Sequence, residues 1–284
     1  MDERAWDSAR KLIREALRED LGPGDLTTRA VTPPRTRARA VMRAREALVP
    51  AGLEIAEAVF RALSKAVRAE RIVEDGRRVE AGAALLRLEG PARPILSGER
   101  VALNFVQRLS GVATLTAQYV EKIAGTRARI LDTRKTTPGW RALEKYATRC
   151  GGAENHRMGL YDRILIKDNH LAALRDAAPN PIAAATALAR RQCPGVLVEV
   201  EADTLDQVRQ AVEAGADWVL LDNMDPKQLR EAVRLASGKA RTEASGGVTL
   251  QTVRQIAETG VDYISVGAVT HSARAVDIGL DFEG

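Results

Sequence analysis

In the second half of the chain, apolar runs alternate with amphipathic stretches. "GVLVEVEA" reads as a buried strand, and "TLDQVRQAVEAG" spaces its apolar residues at three and four behind Thr204, with Gly215 as the stop. "ADWVLLDN" and "DPKQLREAVRLASG" repeat the alternation, "ARTEASGG" and "TLQTVRQIAETG" repeat it again, and "VDYISVGA" ends the series at a glycine. Upstream, "RARILDTRK" and "DRILIKDNH" are apolar runs that stop at charged residues, the second followed by the helical "NPIAAATALARR". Strands and helices alternating at this spacing predict parallel βα units, set either in an open doubly wound sheet or in a barrel.

The first hundred residues have a different rhythm. "MDERAWDSARKLIREALRED" predicts an amphipathic helix, while "RTRARAVMRAREALVPAG" and "ERIVEDGRRVEAGAALLRLEGP" predict short alternating strands with glycine turns around the helix "LEIAEAVFRALSKA". A long apolar helix, "SGERVALNFVQRLSGVATLTAQYVEKIAG", then leads into the repeats. The expected division is an α+β domain over residues 1–110, joined by the C-terminal tail 271–284, and an α/β catalytic domain over 111–270.

Composition narrows the partners. A chain of 284 residues with 45% hydrophobic content can build a real core. Its net charge of +5 is spread along the sequence, and aromatic residues make up 4%, so no basic helix interleaved with stacking rings appears and no nucleic-acid partner is expected. No run approaches the roughly 18 apolar residues of a membrane span, and the first helix has no signal-peptide core, so no membrane partner is expected either. The two cysteines, Cys150 and Cys193, have neither disulfide-scaffold density nor zinc-site spacing, which points to a reducing cytoplasm.

Polar residues gather where each strand runs out toward its helix: Asp132 to Lys135, Lys167, Glu201, Asp222, Ser245 to Gly247, and Ser265 to Gly267. In α/β folds that end carries ligands, because loops converge there on rigid strands. One short region collects Asp132, Arg134, Lys135, His156, Arg157, Lys167, Asp168 and His170. Several cations held together repel one another unless a ligand with more than one negative group sits among them. Glu201 and Asp222, on successive strand ends, suit a hard divalent cation such as Mg²⁺. The turns in "ASGG" and "SVGA" can cradle a phosphate on backbone N–H groups. Polyanion, metal and phosphate together indicate transfer chemistry on a phosphorylated sugar. Of the three histidines, His156, His170 and His271, His156 is the best placed.

The stretch "LDTRKTTPGWRALEKYATRCGGAENHRMGLYDRILIKDNH" resembles the signature of the quinolinate phosphoribosyltransferase family, and the likeness extends through "EDLGPGDLTT", "SGERVALNFVQRLSGVAT", "VEVEADTLDQV", "VLLDN", "EASGGVTL" and "ISVGAVTHSA". The resemblance implies an incomplete parallel α/β barrel of TIM-like type with an N-terminal α+β sandwich-like domain, working as a homodimer or a multiple of dimers. It implies transfer from phosphoribosyl pyrophosphate to quinolinate with decarboxylation, giving nicotinate mononucleotide, pyrophosphate and CO₂ in NAD biosynthesis. By the same resemblance Arg134, His156 and Arg157 hold the quinolinate dianion, and Lys135 and Lys167 lie near both substrates and act in catalysis. Arg100 is supplied to the neighbouring subunit's site. Glu201 and Asp222 contact the ribose hydroxyls and Mg²⁺ and count with the catalytic residues, while Ser245, Gly246, Gly247 and Gly267 hold the 5′-phosphate and His271 lies near it.

The family shows three glycines before its Asn-His-Arg; here Ala153 and Glu154 follow Gly151 and Gly152, a change that matters only where φ must be positive. A molybdenum-transport-associated relative shares the "RKT-x-PG" segment but lacks Asn-His-Arg and the Leu-Ile-Lys-x-Asn-His run. A non-enzymatic scaffold would have lost the carboxylates or the phosphate glycines. Nicotinate phosphoribosyltransferase takes a monocarboxylate, which needs fewer cations.

Overall fold

The computed structural model describes residues 1–283. In chain order its elements are α1 (Glu3–Leu21), α2 (Leu26–Val31), β1 (Arg37–Ala44), α3 (Leu53–Leu63), β2 (Arg68–Arg71), β3 (Ala84–Pro91) and α4 (Ala92–Lys122). Then come β4 (Arg129–Leu131), α5 (Arg141–Cys150), β5 (Ile164–Ile166), α6 (Asp168–Ala172), α7 (Pro181–Gln192), β6 (Val198–Ala202) and α8 (Leu205–Glu213). The chain continues through β7 (Trp218–Asp222), α9 (Pro226–Ala236), β8 (Arg241–Ser245), α10 (Val253–Ala257), β9 (Tyr263–Ser265), α11 (Ala268–His271) and β10 (Ile278–Glu283).

Two compact units result. The first takes residues 1–117 and 136–152 and the chain from Val269 onward; the second takes 118–135 and 153–268. In the first, the antiparallel sheet has the order β10-β1-β3-β2. The Asp2 carboxylate accepts the Ala5 N–H at 2.9 Å to start α1, whose buried residues Ala5, Ala9, Ile13 and Leu17 recur every fourth position as a single apolar stripe. The expected break near residue 110 falls inside α4, which runs unbroken for 31 residues. Leu103, Phe105, Val106, Leu109 and Val112 of α4 are buried in the first unit's core, so the helix stays with that unit past 110. Residues 136–152, expected within the barrel span, also join this core: Leu143 and Ala147 are buried in it, and Trp140 stacks on Phe105 at 5.0 Å. The span 111–270 is therefore interrupted, because the amphipathic α5 finds its apolar partners on α4.

The second unit is a six-stranded parallel sheet in the order β4-β9-β8-β7-β6-β5. A doubly wound sheet reverses its order from the middle, whereas here β5 to β9 follow one another and the first strand lies beside the last, as in a barrel. The two open edges are β4 and β5, so the barrel is incomplete. Its helices start on the capping signals the sequence carries. Thr204 and Gln207 cap α8 reciprocally, and Asp225 accepts the Gln228 N–H at 2.9 Å at the start of α9. In "TLQTVRQIAETG" the side chains of Thr249 and Thr252 take each other's backbone N–H at 3.2 and 3.0 Å. The capped turn is there as expected, but regular α-helix begins only at Val253.

Candidate active site

The site is built at the C-terminal ends of the second unit's strands. Beyond β4 the buried Asp132 accepts from Asn155 Nδ2 at 2.6 Å and from the His156 N–H at 2.9 Å, so it ties this strand end to the loop that precedes β5. Residues 133–135 turn immediately after it, with the Lys135 N–H donating to Thr133 Oγ1 at 3.0 Å. A cavity of about 660 Å³ opens here, lined by Arg134, Lys135, His156, Arg157, Lys167, Glu201, Asp222, Ser245, Gly246 and Gly247, among others. Ten of the residues singled out from sequence are thereby brought to one place.

The strands set their order around it. Successive strand residues point to opposite faces, so Glu199 and Glu201 share a side of β6, as Leu220 and Asp222 do on β7 and Glu243 and Ser245 on β8. Register places Asp222 opposite Ser245 and Leu220 opposite Glu243. Across the other side of β7, Glu201 lies opposite Leu220. Glu199, Leu220 and Glu243 are buried, while Glu201, Asp222 and Ser245, nearer the strand ends, are partly exposed. Lys167 pairs with Glu201. Past β7, Asn223 adopts φ 53° and donates its N–H to the Ser245 carbonyl at 2.9 Å, while its amide reaches Asp222 Oδ2 at 2.8 Å. Gly246 turns at φ 95° against it, and a Cβ there would sit 2.1 Å from Asn223 Oδ1. That turn needs glycine for its backbone angle and for space.

Charge is concentrated in the cavity wall. The Arg157 guanidinium is less basic than usual, first through burial and then through the positive charge of Arg134. An anion among these groups relieves both costs. His156 is enclosed beneath them. Its Nε2 lies 3.2 Å from Glu199 Oε2 and 3.3 Å from Glu243 Oε2, and its Nδ1 accepts the Arg157 N–H at 2.7 Å. Burial opposes a charge on the imidazole, but the two carboxylates more than offset it and raise its pKa to about 9. Burial, and then the charge of Glu199, push Glu243 up to about 7; Glu199 is held down by His156 against its own burial. Because the Arg157 amide occupies Nδ1, the cluster's extra proton belongs on the Nε2 side, shared with the carboxylate pair as one titrating unit.

Three expected residues lie elsewhere. Arg100 is exposed on α4, and His271 is exposed with Nδ1 2.6 Å from Ser272 Oγ; both belong to the first unit. Gly267 sits between β9 and α11 and does not line the cavity. Ala153 is not among the positive-φ residues, whereas Gly152 before it is, at 90°, so the alanine fits its turn without strain. Glu199, Glu243 and Arg163 escape the sequence reading; the available signal was an acid inside an apolar strand, "VEVEA" and "TEAS", which demands a buried partner.

The quinolinate phosphoribosyl transferase C-terminal domain matches residues 112–281, and the N-terminal domain of the same family matches residues 25–110. The chain belongs to this family. Among quinolinate phosphoribosyl transferase relatives it is 42% identical over 273 residues to a probable nicotinate-nucleotide pyrophosphorylase [carboxylating] of Bacillus subtilis, covering 96% of this chain and 92% of that one. It is 44% identical to the nicotinate-nucleotide pyrophosphorylase [carboxylating] of Mycobacterium leprae, over 97% of this chain and 98% of that one. The solved nicotinate-nucleotide pyrophosphorylase of Francisella tularensis superposes with a TM-score of 0.92 at 40% identity, covering 98% and 96% of the two chains. The family's incomplete α/β barrel is thus the fold of this chain.

Proposed function

We propose that this cavity joins quinolinate to phosphoribosyl pyrophosphate and releases CO₂, giving nicotinate mononucleotide and pyrophosphate for NAD biosynthesis. The observation that carries the reading is one cavity lined by Arg134, Lys135, Arg157 and Lys167 together with Glu201, Asp222 and the Gly246–Gly247 turn. Family membership, and the carboxylating activity that the relatives' names carry, agree with it.

In this reading the two guanidiniums and Lys135 hold the dicarboxylate, with planar forks matched to carboxylate oxygens. The Ser245–Gly247 turn offers its backbone N–H groups to the 5′-phosphate. Glu201 and Asp222 orient the ribose hydroxyls. The same two carboxylates offer the oxygen donors that suit a hard cation, and Mg²⁺ bound there supplies positive charge to the departing pyrophosphate. Lys167, held by Glu201, adds a cation on the side where negative charge develops. Holding both reactants in line replaces a bimolecular encounter, an effect of up to roughly 7–11 kcal/mol. Once bonded, the pyridine nitrogen is cationic and stabilises the carbanion left on the adjacent ring carbon as CO₂ departs, and that carbon then takes a proton from water, so the chain need only bind and orient.

We extend the reading to a homodimer in which Arg100 on one copy serves the site of the other; its exposed position on α4 is compatible with that role. The two cysteines are unpaired, which supports a cytoplasmic setting, and none of the described helices is long and apolar enough to cross a membrane.

The test is to incubate the purified protein with Mg²⁺ and phosphoribosyl pyrophosphate, offering carboxyl-labelled quinolinate or nicotinate in parallel. Labelled CO₂ and mononucleotide from quinolinate alone are expected. Turnover of nicotinate, or of neither acid, would overturn the assignment.

A further inference from the structure

The cavity floor contains something the transfer reaction does not call for. Glu199 and Glu243 sit within β6 and β8, fully buried, with the imidazole of His156 close to both, the Arg163 guanidinium close to Glu199 and the Ser265 side chain close to Glu243. Arg163 Nη1 is 3.6 Å from Glu199 Oε2, and its guanidinium stacks over Trp218 at 4.3 Å. Both glutamates are closed off from bulk solvent, and two neighbouring carboxylates in such an interior repel each other. Apolar residues of similar size in such positions are often neutral or stabilising, so the pair calls for a reason beyond stability.

The ring between them has no nitrogen left for a ligand. Nε2 faces the two glutamates, and Nδ1 receives the Arg157 N–H. The carboxylates require a donor at Nε2, which makes Nδ1 the acceptor, and an acceptor at Nδ1 is what the Arg157 amide needs. Arg157 is then fixed twice, through its amide and through Nη1, which donates to the Arg163 carbonyl at 3.1 Å. The His156 amide, bonded to Asp132, ties the same unit to the strand end that carries Arg134 and Lys135.

We propose that Glu199 and Glu243 are positioning residues: they lock the His156 ring so that it aims Arg157 at the substrate's carboxylate, and His156 acts through Arg157 rather than through either of its own ring nitrogens. This rests on the reading that the cavity takes quinolinate. A glutamine at either position keeps the shape but can donate to Nε2, which releases the ring to the other tautomer and sets N–H against N–H at Arg157.

The experiment uses the full chain labelled with ¹⁵N-histidine, with Glu199→Gln and Glu243→Gln as variants and a His156→Asn protein that identifies the His156 signal by its loss. At about pH 10, above the ring's pKa of about 9, the wild-type ring is expected to show an unprotonated Nδ1 and a protonated Nε2, and each glutamine variant a shift toward the opposite tautomer. In steady-state assays the KM for quinolinate should rise about tenfold, equivalent to about 1.4 kcal/mol of binding, while the KM for phosphoribosyl pyrophosphate stays within about twofold. Glu243→Asp, which keeps an acceptor, should recover part of the loss. A protonated Nδ1 in the wild type, or an unchanged KM for quinolinate in both variants, overturns the proposal. Failure of the wild type to use quinolinate would sink the functional reading, while the tautomer spectrum would still decide for or against the lock. A variant that does not fold leaves the wild-type spectrum and the other variant to decide it.

Discussion

Replacing Gly246 by alanine tests the link between backbone conformation and the phosphate-cradling turn. At φ 95° an L-residue is strained by about 1–2 kcal/mol. The new methyl would also lie 2.1 Å from Asn223 Oδ1, 2.6 Å from its Cγ and 3.0 Å from its backbone nitrogen. The side chain must swing away, breaking the 2.8 Å bond to Asp222, which contributes about 1 kcal/mol at an exposed position. The backbone cannot follow without stretching the 2.9 Å bond from the Asn223 amide to Ser245. Together these give about 2–4 kcal/mol of destabilisation. Gly247 is the internal control, because it too has positive φ, at 57°, but nothing lies within 4 Å of its would-be Cβ. Gly247→Ala should cost only about 1 kcal/mol of strain. At about 2–4 °C per kcal/mol for a domain of this class, the melting temperature should fall by roughly 4–16 °C in the first variant and about 2–4 °C in the second. The KM for phosphoribosyl pyrophosphate should rise far more for Gly246→Ala, since Asn223 and Asp222 move with it. Equal melting temperatures and equal KM values in the two variants would refute the reasoning, since the clash is all that separates them.

Two further outcomes follow from the geometry. If Arg100 serves the neighbouring copy, Arg100→Ala and Lys135→Ala proteins, each inactive alone, should regain up to roughly a quarter of wild-type activity when unfolded and refolded together; no recovery would confine Arg100 to its own chain. The buried cluster binds more protons folded than unfolded, because Glu243 is raised to about 7 and His156 to about 9. The share from Glu243 is fully present below its ordinary value of 4.5 and is lost as pH climbs to about 7, and the share from His156 is fully present below 6.5 and is lost by about 9. The melting temperature should therefore fall from about pH 5 to about pH 9, and Glu243→Gln should flatten the part of the fall below about pH 7, which a pH series of thermal scans would reveal.

The parallel repeats were readable because burial on both faces imposes unbroken apolar runs, and Thr204, Asp225 and Thr249 mark the helix starts chemically. Whether the strands close into a barrel was not readable from periodicity, since that depends on β4 lying beside β9, a pairing between segments far apart in the chain. The convergence of Arg134, Lys135, Lys167, Glu201 and Asp222 was visible because each sits where an apolar run ends. Glu199 and Glu243 stayed hidden for the converse reason: they lie inside the runs, and only the tertiary approach of His156 explains them. Likewise nothing local in "WRALEKYATRC" tells that its apolar face meets α4 rather than the barrel.

The pairing of β10 with β1, from Arg39 opposite Glu283 to Ala44 opposite Ile278, has a consequence during synthesis. β1 emerges early, and β3 soon covers one of its sides, but the strand that covers the other, β10, is made only after all the strands of the barrel. At roughly 5–20 residues per second the ribosome leaves that edge bare for on the order of ten seconds or more. A nascent chain in this interval offers a ready template to its neighbours on the same message. Arg37, Arg39 and Arg43, spaced along the waiting strand, place like charges on it and so discourage two unfinished chains from zipping together before each has its own β10.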